Sequence, residues 1–418
     1  MLNKRITRHG TLLLAIVFAM LVAVSSGAAA VRGNDRAAAS TITIWTDQDR
    51  QAAVTKIAND WGTSRGVTIK VVVKPFGDIR DGLKTIDPAN APDVIVGAHD
   101  WTGQLAADGL VLPLYPSKAT LAQFPKYAID AFSYGTAVNK LYAAPVVIEN
   151  IGLVVNTKLA KVPTTFAQLE SAALKFKKKS SGNLAIAVPQ GAAGDAYHMY
   201  PFFSGLGGYV FGRNKAGNLD ASDIGVANKN LIANSSLIDK WNKEGLINSK
   251  VDYNTAKNAF LKGQAAFWIT GPWESDTLKQ SGLKFRVVQL PKIKFRSVPF
   301  LGVQGFMVTK FATTHDTESL AKDLVSGYMM TPAAQVDLAA ANGRFPANIK
   351  AGATIHDAVL AQFGKAGVGG VPMPNIPQMS SVWSELAGAW VKSTQGAGAT
   401  KARVAFTIAS RNIANKIG

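Results

Sequence analysis

The 418 residues contain no cysteine. That absence excludes a disulfide framework, a thiolate nucleophile and any thiolate metal site. Charge of one sign is also scarce: 27 Asp and Glu face 45 Lys and Arg, a net +18. Such an excess raises the question of a polyanionic partner. The basic residues are scattered, however, and the one tight cluster, Lys177 to Lys179 with Lys175 just before it, ends a helical pattern and reads as a solvated helix end. No nucleic-acid partner is expected. The five histidines are dispersed, so no metal site is expected either. Enzyme signatures are missing: no Gly-x-Ser-x-Gly elbow, no phosphate loop ending in Gly-Lys-Ser/Thr, no His-Glu-x-x-His helix. His99-Asp100 is the nearest to an acid–base pair, but neighbours at a strand end point apart, which favours a structural or ligand-binding role. Nothing calls for a cofactor.

What is present begins with an address. Lys4, Arg5 and Arg8 precede an apolar run from Thr11 to Val24, and Ser25 to Ala30 supplies small residues. This is the layout of a secretory signal peptide over residues 1–30, with Ala28-x-Ala30 as the cleavage site. The run is short for a bilayer span of about 20 apolar residues. Residues 31–40 read as a loose polar linker. Export would place the protein in a periplasm or at the outer face of the cytoplasmic membrane, without a lipid on cysteine.

The whole chain is 47% hydrophobic, ample for a packed core. Its length suits one large or two medium domains of roughly 150 residues. Thr41 to Trp45 alternates like a strand, Gln51 to Trp61 has helical spacing, and Gly66 to Val73 and Asp93 to Val96 are further strands, the last largely apolar. Ile79 to Ile86 and Gln104 to Asp108 are short helix candidates. A β-α-β-α-β opening of this kind places ligands at the carboxyl ends of the strands. A second α/β unit starts near Ile151: a strand to Asn156, a helix from a Thr165 cap to Lys178, a strand Leu184 to Val188, helices Ile232 to Lys243 and Ala256 to Leu261, and a strand Ala265 to Thr270. Thr331-Pro332 caps a helix through Ala341, and Ser380 to Ile417 is mostly helical.

Polar and aromatic residues recur beside strand ends: Asp47, Asp49 and Arg50 after the first strand, Asp100 and Trp101 after the third, Glu149 before Ile151, Trp273 in Gly271-Pro272-Trp273. Any one is an ordinary turn; their recurrence points to a shared site. The set suits carbohydrate. Aromatic rings cover the apolar face of a pyranose, and carboxylates accept hydrogen bonds from its hydroxyls at about 1.5–3 kcal/mol each. Trp101, Tyr197, Trp273 and Trp383 are the candidate platforms, and Asp47, Asp49, Asp100, Glu149 and Asp195 the candidate acceptors. Trp61, Trp241, Trp268 and Trp390 are assigned to the core.

Four segments carry a family resemblance: Pro92 to Asp100, Pro145 to Glu149, Ala265 to Trp273, and Met373 to Ser380 followed by Trp383. From Thr41 onward the chain resembles the extracellular solute-binding proteins of ABC sugar importers, in the maltose/maltodextrin-binding branch. The resemblance implies an α/β periplasmic-binding-protein type II fold, two lobes joined by a hinge with the ligand cleft between them. The lobes would comprise residues 41–150 with 302–352, and 151–301 with 353–418. It also implies the site: Asp47, Asp49, Arg50 and Asp100 on the first lobe, Glu149 at the hinge, and Asp195, Tyr197, Trp273 and Trp383 on the second. Gly97 stands where the enteric maltose binder has tryptophan, and Trp101 where it has arginine, so the aromatic surface is moved. Ser384 and Ala387 replace a tyrosine and an arginine, and Arg80 lies near an expected glutamate.

The resemblance implies a monomeric, non-catalytic receptor that binds a maltodextrin-type oligosaccharide and delivers it to the transmembrane subunits of an ABC permease. Other oligosaccharides, cyclodextrin or a galacto-oligosaccharide, are the same-fold alternatives. A secreted glycosidase would instead need two carboxylates about 5–5.5 or 6.5–9.5 Å apart across one bond.

Overall fold

A computed structural model describes residues 40–135, 138–340 and 343–418. The signal peptide and the linker up to residue 39 lie outside the described residues, as does Ala341 at the expected helix end. Among the described residues no helix is long and apolar enough to cross a membrane.

Two α/β lobes are built around separate sheets. The larger sheet has seven strands. Thr41–Thr46 pairs in parallel with Thr68–Val73 on one side and Val94–Ala98 on the other. The long Phe300–Val308 strand then runs antiparallel to Val94–Ala98 and to Ala144–Asn150, with Phe345–Pro346 and Val371–Pro372 at the margins. Val94–Ala98 is buried at every position, as a strand covered on both faces must be. The smaller sheet sets Gly152–Asn156 between Phe267–Thr270 and Phe285–Val288, all antiparallel. Ile151 alone separates Ala144–Asn150 of one sheet from Gly152–Asn156 of the other.

Local chemistry explains the helices that frame these sheets. Gln51–Arg65 turns Ala53, Val54, Ile57, Ala58 and Trp61 inward and stops where Gly66 takes a left-handed φ of 68°. Phe166–Lys177 opens with a capping box between Thr165 and Gln168. The C-terminal region forms Trp383–Thr394 and Ala402–Ile417. Trp61, Trp241, Trp268 and Trp390 are all fully buried.

Three expectations shift. The helix placed at Ile79 to Ile86 runs Phe76–Gly82, because Pro75 holds the extended conformation that precedes a first turn. Leu184 to Val188 makes only two isolated bridges, to Ala265 and Trp268, and ends at Pro189, which has no amide hydrogen to extend a ladder. The helix read as Ile232 to Lys243 is two, Lys229–Asn234 and Ser236–Glu244, parted at Ser235, whose hydroxyl donates back to the Ile232 carbonyl.

Candidate functional site

The parallel strands of the larger sheet release their chains at one edge. Asp47 and Arg50 follow Thr46, Phe76 follows Val73, and Asp100 and Trp101 follow Ala98. From the smaller sheet, Trp273 follows Thr270 and Asp195-Ala196-Tyr197 opens the Ala196–Gly205 helix. These side chains line one cleft of about 1240 Å³, together with Asp49, Glu149 and Trp383. All ten residues singled out from the sequence therefore meet in one place. A second cavity, of about 1000 Å³ and edged by Lys126, Tyr127, Arg213 and Phe295, contains none of them.

The floor is ionic. Glu149 accepts a 2.5 Å hydrogen bond from Arg344 Nε and a 2.6 Å one from Gln304 Nε2, all three side chains being buried. Burial works to lower the Arg344 pKa, but the charge and hydrogen bond of Glu149 prevail and raise it. Arg50 donates to Asp47 through its guanidinium and, at 3.1 Å, through its backbone amide. Burial, helped by the nearby Arg344 charge, lowers the Arg50 pKa to about 10, with Asp47, Glu149 and Asp49 acting the other way. Asp49 itself stands exposed at the rim.

The other two carboxylates differ. Asp100 is 6% exposed and burial raises its pKa, although Trp383 Nε1 donates to Oδ2 at 2.9 Å. Asp195 caps its helix by accepting from the His198 amide at 2.9 Å, and its other oxygen is 2.6 Å from His198 Nδ1. Burial would raise Asp195, but the His198 charge and the hydrogen bonds it receives hold it below the ordinary carboxylate value.

Aromatic rings form the walls. Tyr197 lies 6.4 Å from Trp273 and stacks on Phe300 at 6.1 Å, and Trp383 meets Phe300 edge-on at 5.8 Å. Trp273 is held by a chain of donors: its Nε1 donates to the Tyr253 hydroxyl at 2.6 Å, which donates to Glu274 at 2.5 Å, and Glu274 pairs with Lys257. Across the cleft Phe76 tilts against Trp101 at 4.7 Å, with Arg50 over the outer face of one ring and Arg80 over the other. Guanidinium–aromatic layering of this kind fixes ring orientation.

A layered cleft of aromatic faces and anchored carboxylates, between two α/β lobes, fits the capture of a polar solute with apolar faces. The family model described as bacterial extracellular solute-binding protein matches residues 29–362. The chain belongs to that family. Among curated relatives of this solute-binding protein, the maltodextrin-binding protein of Bacillus subtilis strain 168 is 29% identical, the match covering 96% of this chain and 98% of the relative. A galactooligosaccharide-binding protein of the same organism is 25% identical over 88% and 89% of the two chains. Among solved structures, the Thermus thermophilus maltotriose binding protein bound with maltotriose superimposes with a TM-score of 0.79 at 27% identity, covering 90% of this chain and 100% of that one.

The sequence did not single out every residue of the cleft of this solute-binding protein. Phe76, Tyr253, Lys257, Glu274, Gln304 and Arg344 also line it. Gln304 carried a signal, a lone amide inside an apolar strand. The others are reached only by packing. His99 is fully buried away from the cleft: its Nδ1 accepts from the Val303 amide at 3.1 Å and its Nε2 donates to the Met373 carbonyl at 3.0 Å, with burial lowering its pKa. It is a neutral brace between two segments of the sheet.

Proposed function

We propose that this solute-binding protein captures maltodextrin-type α-glucan oligosaccharides between its lobes and delivers them to the transmembrane subunits of an ABC permease. The observation that carries the reading is the cleft of about 1240 Å³ in which Trp101, Tyr197, Trp273 and Trp383 face Asp47, Asp49, Arg50, Asp100, Glu149 and Asp195. The rings cover pyranose faces, and the acids accept from sugar hydroxyls. The volume exceeds the roughly 300–1,000 Å³ of drug-sized sites, which suits several sugar units. The maltodextrin- and maltotriose-binding relatives support the same class.

The lobes in this reading are residues 41–150 with 302–352 and residues 151–301 with 353–418. They swing about the crossings near Ile151, Leu301 and Gly352, and bound sugar selects the closed form through contacts to both. The protein works as an exported monomer, held by no lipid on cysteine, since its sequence has none. In this reading it is a receptor and not a catalyst, and needs no cofactor; Asp47, Glu149 and Asp195 are each held by a basic side chain, Arg50, Arg344 and His198.

The galactooligosaccharide-binding relative supports a second reading with the same fold and another sugar. One calorimetric panel separates them. Maltose, maltotriose, a cyclodextrin and a galactosyl trisaccharide are titrated into the purified protein, and maltotriose is incubated with it for product analysis. Heat from the glucans alone, with no smaller sugar released, is the expected result. Binding of the galactosyl sugar alone, or release of glucose in excess over protein, overturns it.

A further inference from the structure

We propose that Gln304 determines specificity: its amide oxygen and the Tyr197 hydroxyl together read a single hydroxyl group of the bound oligosaccharide. The inference rests on the reading of the cleft as a sugar site and adds to it a contact that the sequence comparison with maltose binders did not suggest.

Gln304 sits in the middle of the Phe300–Val308 strand, flanked by Gly302, Val303, Gly305 and Phe306, and is 6% exposed. An amide in such a place is costly unless both its ends are matched. One end is. Nε2 donates to Glu149 Oε1 at 2.6 Å, while Glu149 Oε2 accepts from Arg344 Nε at 2.5 Å. Both Glu149 oxygens thus serve as acceptors, one toward Arg344 and one toward Gln304. The amide orientation is therefore fixed by chemistry: nitrogen toward Glu149, oxygen away from it. That oxygen is buried and has no hydrogen-bond partner among the described residues.

The Tyr197 hydroxyl is in the same condition, buried and unpartnered. It belongs to the same small region. A β-carbon added to Gly302 would lie 3.2 Å from Glu149 Oε1, the oxygen that Gln304 holds, and 3.4 Å from the Tyr197 hydroxyl. Glycine at 302 permits this close approach, since a β-carbon there would meet the Glu149 side chain at 2.9 Å. An unmatched acceptor and an unmatched donor thus flank one anionic carboxylate.

This combination selects an alcohol. A hydroxyl donates to Gln304 Oε1 and accepts from Tyr197. A carboxylate could neither donate to that amide oxygen nor tolerate Glu149 beside it. The charged side chains grip hydroxyls through charge; this pair discriminates by requiring a hydrogen for the amide oxygen on a ligand atom that the Tyr197 hydroxyl can also reach.

The test is a double-mutant cycle read by calorimetry with maltotriose and its monodeoxy analogues. Gln304→Leu and Tyr197→Phe are each expected to lower maltotriose affinity by about tenfold, and the double variant by little more than either single change, because one hydroxyl is lost in all three. One monodeoxy analogue is expected to bind the native protein weakly yet match maltotriose on Gln304→Leu. A merely structural role for Gln304 would weaken all analogues alike, and that result overturns the proposal. So does a Gln304→Leu affinity within twofold of native, or strictly additive losses. Circular dichroism verifies folding, and if the leucine variant misfolds, Gln304→Asn carries the cycle. A native protein that binds no glucan overturns the proposed function; a native protein that binds but shows no coupling overturns this inference alone.

Discussion

Asp100 places a carboxylate where water hardly reaches, and it pays there in stability. Burial raises its pKa; the Trp383 hydrogen bond and the Arg80 charge offset that only in part. Between the unfolded value, about 3.9, and the raised folded value, the native state binds more protons than the unfolded chain. Stability therefore falls as pH rises through that window, and the loss persists above it. Asp100→Asn keeps an acceptor for the Trp383 indole and removes the buried charge. It is expected to melt at a higher temperature than the native protein at pH 7, with the gain shrinking below pH 4, and to bind sugar more weakly. A lower melting temperature at pH 7 would show that the ionised carboxylate contributes stability to the ligand-free fold.

The helix Ala196–Gly205 carries Tyr197 in its first turn, so whatever fixes that turn fixes the ring. Asp195 does so as N-cap, and Gly194, at φ 76°, brings the preceding backbone so close to Ala387 that an added β-carbon would meet its carbonyl at 2.7 Å. Asp195→Ala is expected to lower stability by about 0.5–2 kcal/mol at neutral pH, the usual range for a lost cap. The Asp195 pKa is depressed, so its contribution is present above the unfolded carboxylate value and lost as pH falls through the folded one. Urea titrations at pH 7 and pH 3.5 should show the native–variant difference narrowing at the lower pH. A constant difference would mean that the Asp195 side chain acts by packing rather than by charge.

At the scale of the molecule, contacts bridge segments far apart in the chain across the cleft. The Trp383 indole reaches Asp100, and Arg344 lies 5.5 Å over the Trp273 ring. Hinge closure would multiply such contacts around a ligand. Saturating maltotriose is expected to reduce the radius of gyration in small-angle scattering. Superimposable curves under conditions where calorimetry registers binding would argue for a rigid cleft.

Periodicity and strand-end chemistry made much of this legible. The largely apolar run at Asp93 to Val96 marked a strand buried on both faces, and the cap at Thr165 could be read because a cap bonds within three residues of itself; Asp195, read only as a sugar acceptor, is a cap as well. Carboxylates and tryptophans beside strand ends pointed to one cleft, since parallel strands release their chains on one edge. Tertiary structure alone decided how those groups are electrically matched. The partners of Glu149, Gln304 and Arg344, lie 155 and 195 positions away, and Trp383 lies 283 from Asp100. No local pattern encodes such pairings. Whether a buried acid stays charged, or an amide oxygen is left unmatched, depends on which distant side chain the fold delivers to it.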